Sequence, residues 1–219
     1  MVTEGFRKLF LTGTKRPRAE PIKQSSQSPG SFETEFQQML VNTSDWYDEY
    51  GSLDQLKMLC KDLIRPFNDL QKAKCTMEVF KLMQSAGYLT ATNFEVLIDV
   101  INVTGKQGVL EENKLLKDTY EKADDQVKSF TSYRQKLIKF GNKLSEGNVT
   151  TLVNLEKISK KYSGNQWTVI LDLEQRGILN IHKLEPFIEM LKEKELTLAA
   201  EELEDSDECC GNTTWFTGT

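Results

Sequence analysis

Apolar residues recur at the spacing of amphipathic helices from residue 34 to about residue 205. The clearest stripe has the spacing i, i+3, i+4 and i+7 and consists of Phe94, Leu97, Ile98 and Ile101. A stripe of this kind covers one face of a helix and packs against a core. Strand-like alternation of apolar and polar residues does not extend over any useful length. The pattern therefore predicts an all-α fold.

An internal repeat divides this helical region into two copies. The sequence VFKLMQSAGYLTATNFEVLIDVI (residues 79–101) matches VILDLEQRGILNIHKLEPFIEML (residues 169–191) without a gap. In each copy an apolar helix is expected to end at a glycine, Gly87 or Gly177, because glycine readily adopts the left-handed conformation at helix ends. Upstream, with a small shift, Leu56 and Leu59 are matched with Leu152 and Leu155. A repeat of about 90 residues is too long for a solenoid unit and indicates two copies of a whole domain.

The repeat and the polar ends of the chain set the predicted domain boundaries. The first copy spans residues 34–111 and the second spans residues 127–205. The charged stretch 112–126 contains neither Pro nor Gly and predicts a helical linker. Residues 1–33 predict a disordered basic and polar segment, and residues 206–219 a disordered tail, because neither segment carries enough apolar residues for a core.

Composition and charge narrow the class of protein. The chain of 219 residues is 38% hydrophobic and 28% charged, with a net charge of -5. Nucleic-acid binding needs concentrated Lys and Arg, so this balance argues against it. No apolar run approaches the roughly 18 residues of a membrane span. Arg7 and Lys8 interrupt the apolar stretch near the N-terminus, which argues against a signal peptide. We therefore expect a cytoplasmic protein.

The residue types needed for catalysis or metal binding are scarce. His182 is the only histidine, and it lies in a predicted turn where exposed polar residues are usual. Any catalytic triad with a histidine base would have to use it. The four cysteines, Cys60, Cys75, Cys209 and Cys210, contain no CxxC pair and offer no zinc-ligand spacing. No phosphate-binding glycine motif is present. The sequence predicts no enzyme activity, no cofactor and no metal.

The repeated pattern resembles a death effector domain. The segments that carry the resemblance are DQLKMLCKDLIRP (residues 54–66) and the first repeat, and LSEGNVTTLVNLEKI (residues 144–158) and the second. The tandem layout is similar to FLIP proteins and to the prodomains of apical caspases. The resemblance implies two six-helix antiparallel bundles packed in tandem, without catalytic chemistry. It also implies homotypic binding in apoptosis signalling, with a FADD-like adaptor, initiator procaspases or a second copy of the chain as partners.

The resemblance also implies which residues bind partners. In the family an apolar pair on helix two forms one contact. Met58 and Leu59 hold that place in the first copy, and Asn154 and Leu155 hold it in the second. A charge triad forms another contact, for which Asp54 and Glu146 are the nearest helix-two acids and Lys106 holds the place of the family's arginine. Because Asn154 replaces an apolar residue, we expect the first copy to carry the dominant contact. The alternative is that Met58 is an ordinary core residue.

Two other roles remain open from the sequence. One is a FADD-like adaptor that links receptor complexes to initiator caspases. The other is an unrelated helical scaffold, which would show no affinity for death effector domains. Compared with these, FLIP-like modulation of caspase recruitment accounts best for the duplication together with the lack of a caspase domain after the repeats.

Overall fold

The computed structural model describes residues 29–124, 126–159 and 164–204. The disorder predicted for residues 1–28 and 206–219 falls outside these residues. Eleven α-helices and one 3-10 helix occur in the described part: α1 (Pro29–Tyr50), α2 (Leu53–Cys60), α3 (Phe67–Lys72), α4 (Thr76–Ser85), α5 (Glu95–Thr104), the 3-10 helix (Gln107–Leu110), α6 (Lys114–Tyr120), α7 (Ser132–Lys143), α8 (Glu146–Leu155), α9 (Gln166–Gln175), α10 (Glu185–Glu193) and α11 (Thr197–Glu201).

The all-α prediction is confirmed. The described ranges contain no strand, only an isolated bridge between Thr90 and Asn93. Side chains cap the helices where the chain turns into them, which satisfies N–H groups that have no partner within the helix. The capping residues that accept a hydrogen bond are Ser52, Asn113, Thr131, Ser145 and Asn165.

The internal repeat is reproduced in the backbone. α9 begins and ends 90 residues after α4. Gly87 and Gly177 end the two helices with φ of +80° and +71°, in the left-handed region that favours glycine. The residue after each glycine donates back to the helix, Tyr88 N to Met83 O at 3.0 Å and Ile178 N to Leu173 O at 2.9 Å. The turn between the helices is therefore the same in both copies.

Two helices do not coincide with the predicted segments. α1 begins at Pro29, so its first turn lies within the segment 1–33 that we predicted to be disordered. Proline suits this position, because its φ is already helical and its missing N–H would have no partner there. The stretch 112–126 does contain a helix, α6, but Leu116 of α6 is fully buried and α6 packs on α1 and α5. α6 thus belongs to the packing of the first copy.

The buried apolar side chains form one continuous cluster that contains residues of both copies. α2 packs against α7 and α9, and α5 packs against α7. The boundaries 34–111 and 127–205, and the description as two six-helix bundles, remain predictions. Over the residues described, no helix has the length and apolar character needed to cross a bilayer.

Candidate interaction surface

The predicted helix-two patch of the first copy is not exposed. Met58 and Leu59 each have 0% of their surface exposed. Met58 lies against α7 of the second copy. The guanidinium of Arg134 in α7 lies 3.5 Å from the carbonyl oxygen of Met58 and 3.8 Å from its sulfur. The expectation that Met58 and Leu59 form the dominant partner contact is therefore wrong for this conformation, because both side chains are fully buried.

A cluster of four charged side chains joins the two copies beside Met58. Arg134 donates two hydrogen bonds to Asp62, Nε to Oδ2 at 2.8 Å and Nη2 to Oδ1 at 2.9 Å. It donates two more to Glu174 of α9, Nη1 to Oε2 at 3.0 Å and Nη2 to Oε1 at 2.6 Å. Lys61 also pairs with Glu174, Nζ to Oε2 at 2.7 Å. Paired, bidentate geometry of this kind is what a buried guanidinium requires.

Arg134 and Asp62 hold each other in their charged forms. Burial alone would lower the pKa of Arg134, but its hydrogen bonds to Asp62 and Glu174 outweigh burial and raise the pKa. Burial alone would raise the pKa of the Asp62 carboxyl, but the hydrogen bonds and charge of Arg134 outweigh it, so this pKa is lowered. The contact between the copies is therefore ionic at neutral pH.

The predicted charge triad is not assembled in the first copy. The Asp54 carboxylate accepts a hydrogen bond from the Asn165 amide at the start of α9, at 2.5 Å. Lys106 instead donates to the carbonyl oxygen of Tyr50, at 3.3 Å. Asp54 thus contacts the second copy and Lys106 contacts the end of α1.

The helix-two surface of the second copy is exposed. Glu146, in the first turn of α8, and Asn154 are solvent-exposed, and Leu155 has 39% of its surface exposed. Underneath, Val149, Leu152 and Val153 face the core. Of the predicted partner-binding residues, the ones most open to a separate protein are Glu146, Asn154 and Leu155 on α8.

The match of Leu59 with Leu155 is wrong by three residues. Ser52 and Ser145 cap α2 and α8 in the same way, and they lie 93 residues apart. Counted from these caps, Leu59 corresponds to the buried Leu152, and Leu155 corresponds to Asp62. Leucine is common at helical core and surface positions alike, so residue type alone could not fix the register.

No metal-binding cluster appears among the described residues. They contain no group of three or more His, Cys, Asp and Glu side chains that could hold a metal ion. His182 is exposed, and its backbone N–H donates to Asn180 at 2.9 Å. Burial raises the pKa of the Cys60 thiol to about 12, so this cysteine is not a thiolate at neutral pH.

No sequence pattern singles out Arg134, Glu174, Asp62 or Lys61. Arg134 directly follows Tyr133 of an apolar stripe, and a charged residue beside such a stripe ordinarily faces solvent. The sequence therefore offered only a weak signal that Arg134 is buried. In the structure, the buried surface of α7 extends beyond the apolar stripe and includes Arg134.

Comparison with known proteins adds no relative. No family model matches this chain, and a search of curated proteins finds no match either.

Proposed function

We propose that this chain is a non-enzymatic interaction protein that regulates apoptosis signalling by binding death effector domains, in the manner of FLIP proteins. The observation that carries the proposal is the duplicated helical unit, in which α4 and α5 of the first copy recur as α9 and α10. This duplication and the resemblance of both copies to a death effector domain support a protein that acts by binding other proteins through its surface.

The working surface of this proposal lies on α8. Met58 and Leu59 on α2 are fully buried, whereas α8 keeps Asn154 and Leu155 exposed. An exposed leucine beside polar groups that stay hydrated is a suitable anchor, because binding removes its side chain from water without leaving a buried polar group unpaired. Glu146 at the start of the same helix supplies the acidic group. The partners are a FADD-like adaptor and initiator procaspases.

Replacement of Leu155 by Asp tests this assignment. The variant introduces a charge at the proposed contact, and we expect the affinity for the death effector domain of a FADD-like adaptor to fall about thirtyfold, as for the loss of an interface hot spot. Leu198→Asp is the matched control, because Leu198 is 69% exposed on α11 of the same copy. Affinities would be measured by titration of the purified adaptor domain.

The two variants also distinguish a loss of the α8 contact from a loss of the fold. Both leucines are exposed, so the fold should survive, which near-ultraviolet circular dichroism would check. Equal binding by the parent chain and Leu155→Asp, or a larger loss in Leu198→Asp, would rule out the α8 surface. Failure of the parent chain to bind any death effector domain would instead favour the unrelated helical scaffold.

A further inference from the structure

A groove runs along α1, beside the start of α6. Two adjoining cavities of about 500 Å³ and 390 Å³ form it, and Asn42 and Glu112 line both of them. Glu35, in the second turn of α1, lines one end of the groove, and Tyr50, the last residue of α1, lines the other. The groove therefore follows α1 from near its start to its end.

The groove is strongly acidic. The carboxylates that line it are all solvent-exposed and belong to Glu35, Asp45, Glu49, Glu112 and Asp118. Within the part of the chain that the structure describes, Asp45, Glu49 and Glu112 form no ion pair, and Lys114 is the only basic residue of the lining. These carboxylates repel one another, so a basic segment in the groove would relieve the repulsion.

Two aromatic side chains lie at the end of the groove nearest α2. The ring centroids of Trp46 and Tyr50 are 5.5 Å apart, and Tyr50 is 57% exposed. Gly108 leaves room for Trp46, because a methyl group on Gly108 would lie 2.9 Å from Cζ2 of the indole. An aromatic ring beside carboxylates suits a guanidinium, which stacks on the ring and pairs with the acid. This end of the groove therefore fits a peptide segment that contains arginine.

The matching charge lies in the chain that precedes α1. Residues 1–28 contain six basic and two acidic residues, a net charge of +4, so residues 29–219 carry a net charge of -9. Three of the basic residues, Lys15, Arg16 and Arg18, fall within residues 15–18, which we call the basic run. Pro17 restricts the backbone of the basic run and so reduces the entropy that binding costs.

The connecting chain is long enough to bring the basic run to the aromatic end of the groove. Pro29, where α1 begins, lies 11 residues after Arg18, and an extended chain of that length spans about 36–40 Å. Trp46 lies 17 residues after Pro29, or about 26 Å along the helix. The basic run can therefore return along α1 as far as Trp46 and Tyr50.

We propose that the basic run binds in the α1 groove of its own chain, with its arginines against Trp46, Tyr50 and the carboxylates beside them. The bound segment would cover a face of α1 that is otherwise open to solvent. The proposal does not rest on the binding of death effector domains, since it concerns this chain alone. Because the contact is ionic and lies at the surface, added salt should release the segment, as the screening length falls from about 10 Å at 0.1 M to about 3 Å at 1 M.

Zero-length cross-linking with a carbodiimide tests the proposal on the whole chain. The reagent joins a lysine amine to a carboxylate that it contacts. In low salt, mass spectrometry of the digested monomer should therefore find Lys15 joined to Asp45, Glu49 or Glu112. The yield of this product should be independent of protein concentration, because the contact lies within one chain, and it should fall as salt is added.

Two charge-reversal variants distinguish the basic run from overall charge. Arg16→Glu combined with Arg18→Glu should lower the yield of the Lys15 cross-link about tenfold, because the contacts with the aromatic rings and with the carboxylates are lost together. Arg7→Glu combined with Lys8→Glu is the matched control. It changes the net charge by the same amount in the same part of the chain, and its yield should stay within about twofold of the parent chain.

Trp46 gives a second readout that needs no cross-link. In protein labelled with fluorotryptophan, added salt should shift the fluorine resonance of Trp46 in the parent chain and in the control, but not in the variant with Arg16→Glu and Arg18→Glu. The proposal would be overturned by the absence of a Lys15 cross-link to the three carboxylates, by cross-links that join only separate chains, or by equal losses in the two charge-reversal variants.

Discussion

Arg134 is the residue that most directly ties the copies together. Its side chain is 3% exposed, and its four charged hydrogen bonds reach Asp62 just after α2 and Glu174 in the last turn of α9. Glu174 is nearly as inaccessible, whereas Asp62 keeps almost half of its side chain in water. Loss of the guanidinium would leave Glu174 with Lys61 alone, and an under-satisfied buried carboxylate is costly.

We therefore expect Arg134→Met to lower the free energy of unfolding by about 2–3 kcal/mol, the range for hydrogen bonds that involve charged groups. Arg176→Met is the matched control, because the Arg176 side chain is 40% exposed, pairs with Asp172 at 3.4 Å and donates to the carbonyl oxygen of Glu156 at 2.7 Å. For such a pair we expect a loss of about 0.5 kcal/mol. Urea unfolding would measure both, and equal losses in the two variants would contradict the role of Arg134.

For single residues, the sequence shows the chemical character of each side chain but does not show which distant residues surround it. Met58 fits an apolar contact and a core equally well, and it is buried by a residue 76 positions later in the chain. Arg134 looks like a surface charge until Asp62 and Glu174 are brought beside it. Tertiary contacts decide such positions, and no local pattern encodes them.

Among the helices, α7 and α9 pack unusually closely. Gly141 lies within α7, and a methyl group on it would overlap the ring of Trp167 in α9, at 2.7 Å from Cη2. Trp167 is buried, so it cannot move aside without disturbing the core. Glycine is ordinarily a poor helix residue, and here its lack of a side chain permits the close approach.

Gly141→Ala should therefore destabilise the protein by about 1–3 kcal/mol through overpacking, although alanine is the better helix former. Gly147→Ala in α8 provides the comparison, because its added methyl group would meet only Ser145 Oγ at 3.8 Å. That variant should be unchanged or stabilised by up to about 0.5 kcal/mol. Thermal unfolding would distinguish them, and a stabilised Gly141→Ala would refute the packing argument.

The helices themselves were largely predictable. The repeat predicted α4, α5, α9 and α10 in matching positions, because α4 and α9 each end at a glycine that forces the turn. The register of α8 against α2 was not predictable from leucines, and the capping residues Ser52 and Ser145 settle it. Polar caps mark helix starts more specifically than apolar residues mark buried faces.

Across the whole molecule, acid should weaken the contact between the copies. The pKa of Asp62 is lowered in the folded state, so its contribution to stability is present above about pH 4 and is lost as pH falls through the folded-state value. The difference in unfolding free energy between the parent chain and Asp62→Asn should therefore be clear at neutral pH and shrink towards pH 3.

Asp69→Asn serves as the control for this pH series. Asp69 makes an exposed ion pair with Lys72 at 3.8 Å within α3, away from the contact between copies. The unfolding free energy of Asp69→Asn should stay close to that of the parent chain from neutral pH to pH 3. A difference for Asp62→Asn that does not change between neutral pH and pH 3 would argue against the ionic link.

The covering of Met58 by later residues has a consequence during synthesis. α2 leaves the ribosome well before α7 and α9, because Arg134 and Glu174 follow Met58 by 76 and 116 residues. At typical elongation rates of about 5–20 residues per second, the first copy waits roughly 6–23 seconds for its full cover. A nascent chain therefore displays for seconds an apolar face that the finished protein hides, and chaperones or neighbouring nascent chains meet that face first.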